Sequence, residues 1–325
     1  MSTQHFYPKY DIGQLHPECV AVLEHVEKAD EPPLSALTPA QARESFLEPS
    51  WLGPMLRNIR LTTCEAPGPN GPIPLRIYTP DGNTPFPLII FFHGGGFVCG
   101  SAAEFDPVCS GLAATSKAVV ISVDYRLAPE FNFPAPVEDA NAAAAWIAEN
   151  AAQFKVDPDK IAVAGDSAGA NMATNAAIYA RNHGVSPYCA QVLICPWVDL
   201  SGLNTDSYRW FGDGLWLSTE NIQWYRDHYL SNTELGKSPL ASPLLETDLT
   251  GLPPALVILA EFDVLFSEGQ SYARRLESAG VPVAVSNYKG MLHDFVVLPG
   301  KLSTANTALK EIGQYLITAF NKRTG

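Results

Sequence analysis

The chain has 325 residues, of which 46% are hydrophobic and 17% charged, with a formal net charge of −13. That acid excess repels phosphate backbones and anionic lipid surfaces, which disfavours nucleic-acid and membrane-surface binding. No uninterrupted apolar run approaches the length a bilayer requires, and the opening MSTQHFYPKYDIGQLHPECV lacks the basic flank and apolar core of a signal peptide, so a cytoplasmic protein without stable membrane insertion is expected.

In chain order, the first sixty or so residues read as short helical pieces broken by Pro32, Pro33, Pro39, Pro49 and Pro54. Two strand-like runs follow, NIRLTTCEA (58–66) and PLRIYTP (74–80), with the turn-forming PGPNGPI between them. From residue 87 the pattern becomes short, continuously apolar strands alternating with helices. The strands are predicted at 87–92, 118–125, 160–166, 191–197, 255–263 and 283–289, and the helices at 136–154, 168–183, 267–279 and about 304–321. Strands apolar on both faces fit a parallel sheet covered by helices on both sides, so a doubly wound α/β fold is predicted.

One gap breaks the alternation. About sixty residues separate the strands at 191–197 and 255–263, and they carry Tyr208, Trp210, Phe211, Trp216, Trp224, Tyr225 and Tyr229. A connection that long is usually functional, such as a lid. Most of these aromatics are expected to pack the insertion onto the body, with one or two lining a pocket. The six cysteines (Cys19, Cys64, Cys99, Cys109, Cys189, Cys195) show neither a CxxC pair nor metal-ligand spacing, so reduced thiols and no metal are expected.

The chemistry concentrates at KIAVAGDSAGAN, where Gly165-Asp166-Ser167-Ala168-Gly169 forms a G-x-S-x-G pattern between an apolar strand and a helix. The pattern alone is weak; the strand before it, the helix after it and Gly184 as a C-terminal cap strengthen it. A turn of this kind strains the serine backbone and lifts its hydroxyl off the sheet, and its flanking residues must be small because strand and helix nearly touch.

A serine hydroxyl needs a base, and the base an orienting carboxylate. His5, His16, His25, His183 and His228 sit in helical or N-terminal segments that read as solvent-facing. His293 lies in GMLHDF just past a strand's C-terminal end, the edge where open parallel sheets collect catalytic groups. For the acid, Asp263 ends the strand ALVILAEFD and keeps the order Ser, Asp, His; Asp199 is its rival. Glu261 is expected to point into or across the top of the sheet, and Asp294 to be badly placed to reach the ring of its neighbour.

HGGGFVCG (93–100) then acquires a purpose. Negative charge develops on the carbonyl oxygen of an ester under attack, and pre-aimed backbone N–H groups stabilise it by about 3–4 kcal/mol each. Glycines leave room for a substrate to approach the backbone and allow unusual φ/ψ, and Ala168 at the start of the nucleophile helix adds a third donor and the helix dipole.

Taken together, HGGGF (93–97), VDYRLAPE (123–130), GDSAGAN (165–171), EFDVLFSEG (261–269) and GMLHDF (290–295) make the chain resemble the hormone-sensitive-lipase-like family of α/β-hydrolase esterases from about residue 70 onward. The resemblance implies a mostly parallel eight-stranded sheet over 56–198 and 246–325, with a helical cap made from 1–55 and 199–245. It implies Ser167 as nucleophile, His293 as general base and acid, and Asp263 as orienting carboxylate, with the oxyanion held by Gly95, Gly96 and Ala168. It also casts His93 as the organiser of the glycine loop, with Gly94 letting the loop turn, and Tyr125-Arg126 to Glu130 as a brace. Departures from the family pattern are Ala170, Val264 and Asp294, and the last places an extra carboxylate beside the catalytic base.

The implied activity is a serine carboxylesterase that uses no metal or organic cofactor and prefers acyl chains of about C2 to C8. Its partner is a small ester, and family members often form homodimers through the sheet edge. An amidase, peptidase or deacetylase with the same triad stays open on sequence. A catalytically silent ligand receptor of the same fold is disfavoured by the presence of His293, and long-chain lipase activity by the absence of an apolar, basic interfacial helix.

Overall fold

The computed structural model describes residues 14–322 except 30, 48 and 186; His5 and the start of the expected cap lie outside the described residues. The first strands form a hairpin, β1 (Ile59–Gly68) against β2 (Gly71–Pro80), closed at Gly68 opposite Gly71. The turn is tighter than PGPNGPI suggested, because only Pro69 and Asn70 are needed to reverse the chain.

Six further strands complete the sheet: β3 (Phe86–Phe92), β4 (Val119–Val123), β5 (Val156–Asp166), β6 (Tyr188–Ile194), β7 (Ala255–Phe262) and β8 (Val283–Leu292). Their spatial order is β1-β2-β4-β3-β5-β6-β7-β8, with β2 antiparallel to both neighbours and the strands from β4 to β8 mutually parallel. Every residue of β4 is buried, as are Leu88–Phe92 of β3 and Ile161–Asp166 of β5. The continuous apolar runs therefore mark strands covered on both faces.

Helices α4 (Asp106–Ser116) and α10 (Ser303–Lys322) pack against each other and the sheet, while α5 (Ala135–Glu149) and α6 (Ala168–Asn182) pair with each other. A further helix, α9 (Phe266–Ser278), follows β7 and packs on it. Gly184 takes the left-handed conformation, φ 73°, just past α6, as a C-terminal cap requires. The α4 segment, DPVCSGLAATS, was not anticipated, since its run of small residues gives little amphipathic signal.

The proline-broken N-terminal region contains α1 (Pro17–Ala29), α2 (Pro39–Glu44) and α3 (Pro49–Leu52), and the long insertion contains α7 (Asp206–Phe211) and α8 (Thr219–Tyr229). The two regions meet: the turn Leu34–Ala36 contacts α8, and the Trp51 and Trp216 rings lie 5.5 Å apart. Buried Asn171 and Asn175 of α6 fasten the end of the insertion by donating to the carbonyls of Trp197, Leu240 and Ala241. No disulfide joins any of the six cysteines, and no helix among the described residues is long and apolar enough to cross a membrane.

Candidate active site

Parallel strands deliver their C-terminal ends to one edge of the sheet, and the predicted site residues gather there. Ser167 sits between β5 and α6 at φ 54°, ψ −116°, a strained conformation for a side-chain-bearing residue. Its neighbours show why the turn admits only small residues. A Cβ on Gly165 would lie 2.1 Å from the Gly169 carbonyl oxygen, and one on Gly169 would lie 2.0 Å from that of Phe92.

β8 runs on to Leu292, so His293 leaves the strand directly instead of from a loop several residues beyond. Its Nε2 is 3.0 Å from the Ser167 hydroxyl oxygen, and its Nδ1 is 2.7 Å from Asp263 Oδ2. The other Asp263 oxygen accepts from the Leu265 N–H at 2.8 Å, which fixes the carboxylate at the end of β7. All three side chains are buried. The Asp199 carboxylate is engaged elsewhere, accepting from the backbone and hydroxyl of Ser201. Glu261 reaches across to β8, where it accepts from the Gly290 N–H.

The expectation for Asp294 is overturned: its Oδ1 lies 2.9 Å from His293 Nε2. The backbone at Asp294 is left-handed, φ 58°, and this turns the carboxylate back over the preceding ring. Burial alone would push the His293 ring down, but the Asp263 and Asp294 carboxylates outweigh it and hold the ring well above the ordinary histidine value.

The glycine loop arches over the serine. Gly95 and Gly96 adopt φ 109° and 61° and share a cavity of about 1240 Å³ with Ser167 and His293. Among the described residues, no acceptor takes the N–H of either glycine. Ala168 is the first residue of α6, so its own N–H has no acceptor within the helix. The loop is held from below: Tyr125 donates to the His93 carbonyl at 2.7 Å and stacks on its ring at 4.2 Å, while His93 Nδ1 bonds the Gly94 carbonyl. Arg126 forms a two-pronged ion pair with buried Asp139.

Two contacts had no sequence signal. Arg43 of α2 donates to the carbonyls of Val98 and Ala128, both at 2.7 Å, and pairs with Glu130 through two nitrogens. Glu268 of α9 is buried, and its Oε1 accepts from the N–H groups of Val198 and Asp199.

Of the insertion's aromatics, Trp216 and Tyr225 line the cavity while Tyr208, Phe211 and Tyr229 are packed away. Phe46 and Trp51 line it from the N-terminal side. One group of potential metal donors occurs at the site, where ligand atoms of Cys195, Asp263 and His293 lie within 4.8 Å of one another. Burial pushes the Cys195 thiol up to about 12, and the carboxylate and imidazole already bond each other, so the set fits a hydrogen-bonded triad better than a metal cage.

A buried base bonded to a serine on one nitrogen and a carboxylate on the other can generate an alkoxide nucleophile. A family model described as alpha/beta hydrolase fold matches residues 89–297. The carboxylic ester hydrolase LipN of Mycobacterium tuberculosis is 39% identical over 253 residues, 76% of this chain and 66% of the relative. Ethyl acetate hydrolase of Pseudomonas putida is 33% identical over 311 residues, covering 91% of this chain and 96% of the relative. The solved hyperthermophilic esterase of Pyrobaculum calidifontis, 39% identical, aligns with a TM-score of 0.89 over 94% of this chain and 98% of its own. Sequence, sheet order and the strained serine turn agree: the chain belongs to the α/β-hydrolase family, on its hormone-sensitive-lipase-like side.

Proposed function

We propose that the chain is a serine carboxylesterase for small, uncharged esters. The observation that carries this is the continuous hydrogen-bonded line from Ser167 through His293 to Asp263 at the floor of an open cavity. Ser167 loses its proton to His293 Nε2 as its oxygen bonds the ester carbon. The carbonyl electrons move to oxygen, where the N–H groups of Gly95, Gly96 and Ala168 stabilise the charge. The C–O bond to the alcohol then breaks and Nε2 returns its proton to the leaving oxygen. Water repeats the cycle on the acyl-enzyme.

Residues up to 55 and 199–245 are proposed as the cap, since side chains from both regions line the cavity above the serine. Among the described residues the lining includes Leu23, Phe46, Leu215, Trp216 and Ile222 but no lysine or arginine, which suits apolar acyl and alcohol groups and offers an anionic ester no counter-charge. Kinetics on p-nitrophenyl esters from C2 to C16 test the reading. The highest kcat/KM falls at or below C8, and Ser167→Ala is inactive throughout. Fastest turnover at C12 or longer, or activity retained in the variant, refutes it.

A further inference from the structure

The triad accounts for one carboxylate on the histidine, yet the structure places two there. Asp263 occupies Nδ1 at 2.7 Å, and Asp294 stands 2.9 Å from Nε2, as near as the nucleophile's oxygen at 3.0 Å. In the resting arrangement the Ser167 oxygen holds the Nε2 bond and buried Asp294 Oδ1 has no hydrogen-bond partner among the described residues, so a proton that Nε2 gains from Ser167 has two oxygens within reach.

Beneath them lies a third carboxyl group. Asp166 ends β5 inside the serine motif and is wholly buried, and neither of its oxygens meets a donor among the described residues. A carboxylate without donors in a dry interior cannot keep its charge. Burial and the neighbouring Asp294 carboxylate together push the Asp166 carboxyl well above the usual range, and the two side chains lie within hydrogen-bonding reach. Asp166 is then a neutral acid that can donate to Asp294, which lines the cavity. The arrangement gives Gly94 a second role, since a Cβ there would lie 2.5 Å from Asp166 Oδ2.

We propose that Asp294, set beside Asp166, is a second carboxylate partner of His293, accepting the imidazolium Nε2–H while Ser167 is bonded to the acyl carbon. Once the serine oxygen has joined the substrate it is a poor acceptor, and a proton left facing it favours collapse back to starting ester. Asp294 draws the N–H toward the cavity, where the leaving alkoxide departs, and the proton then passes from Nε2 to that alkoxide. Asp294 itself gains and loses no atom. The inference rests on His293 being the general base of the proposed reaction.

The other groups facing the ring are Ser167, Asp263, Asp166 and Cys195, with Tyr225 of α8 close enough to sense the Asp294 charge. Among these, the Asp263 and Asp294 carboxylates favour the imidazolium. Because hydrolysis needs the neutral ring in the free enzyme, activity is lost as pH falls through the raised value, and removing Asp294 moves that loss to lower pH.

The test is the pH profile of kcat/KM on p-nitrophenyl acetate for wild type, Asp294→Asn, Asp294→Gly and Asp166→Asn. Asparagine and glycine both tolerate the left-handed backbone at 294, so a folding defect common to both is not expected. Both Asp294 variants bring the acid limb down by about one pH unit. Their plateau kcat falls about three- to tenfold, with KM little changed. Asp166→Asn, which keeps a donor toward Asp294 and cannot ionise, leaves the midpoint at the wild-type position. Lower rates in both Asp294 variants with an unmoved midpoint would make the residue merely structural and overturn the proposal. A midpoint in Asp166→Asn that drops as far as in Asp294→Asn would place the charge on the wrong carboxyl and overturn it equally. Failure of the esterase reading is separable, since wild type itself would then neither turn over the ester nor react at Ser167 with a fluorophosphonate.

Discussion

At the residue scale the site is built from backbone conformations that ordinary side chains avoid. Ser167 (φ 54°), Cys195 (φ 43°) and Asp294 (φ 58°) all carry positive φ, and all surround the imidazole of His293. Strain placed there is stored by the packed sheet below and fixes each side chain's direction. Gly96 carries the same logic to the loop above: a Cβ would lie 2.3 Å from the Tyr225 ring, at φ 61°. Gly96→Ala therefore tilts the loop and withdraws an N–H from the developing oxyanion. Steady-state kinetics will show kcat reduced about 100-fold, as for loss of one oxyanion donor, and far more than KM rises. A higher KM at unchanged kcat would remove Gly96 from that role.

At the element scale, strand ends supply the chemistry and helices hold it. The ends of β5, β7 and β8 place Asp166, Asp263 and His293, while α9 fastens the exit of β6 through Glu268. Burial first, then the charge of Asp199, push the Glu268 carboxyl well above its usual range. A raised folded-state value means its contribution is complete below the unfolded value near 4.3 and is lost as pH rises through the folded one. Glu268→Gln keeps an acceptor for the Val198 and Asp199 N–H groups and cannot ionise. Between pH 6 and 9 its Tm will fall by less than that of wild type, by roughly 2 °C or more. An equal fall in both proteins would rule out this source of alkaline sensitivity.

The same scale shows what sequence could and could not convey. Ser167, Asp263 and His293 were legible because each sits at a fixed distance from an apolar strand, and strand ends converge in a parallel sheet. Glu268 and Arg43 were not, because their partners lie 70 and 55 to 87 residues away and depend on how layers stack. Asp294 was misread for a different reason. Its contact depends on a single left-handed φ that residue type alone does not specify. Asp166 offered a signal in hindsight, as a carboxylate within a buried G-x-S-x-G turn has to be neutralised.

At the scale of the whole molecule, the N-terminal region and the insertion close over the sheet edge and leave a cavity of about 1240 Å³ above the serine. Arg43 ties that N-terminal region to the glycine loop through the Val98 and Ala128 carbonyls. In the proposed reaction this cavity presents an ester to one activated hydroxyl. The most direct measurement is intact-mass and peptide mapping after titration with a fluorophosphonate. The account predicts one adduct per chain, located on Ser167, formed in step with loss of esterase activity and absent in both Ser167→Ala and enzyme pre-acylated by substrate. An adduct elsewhere in the chain, or full activity after Ser167 is modified, would contradict it.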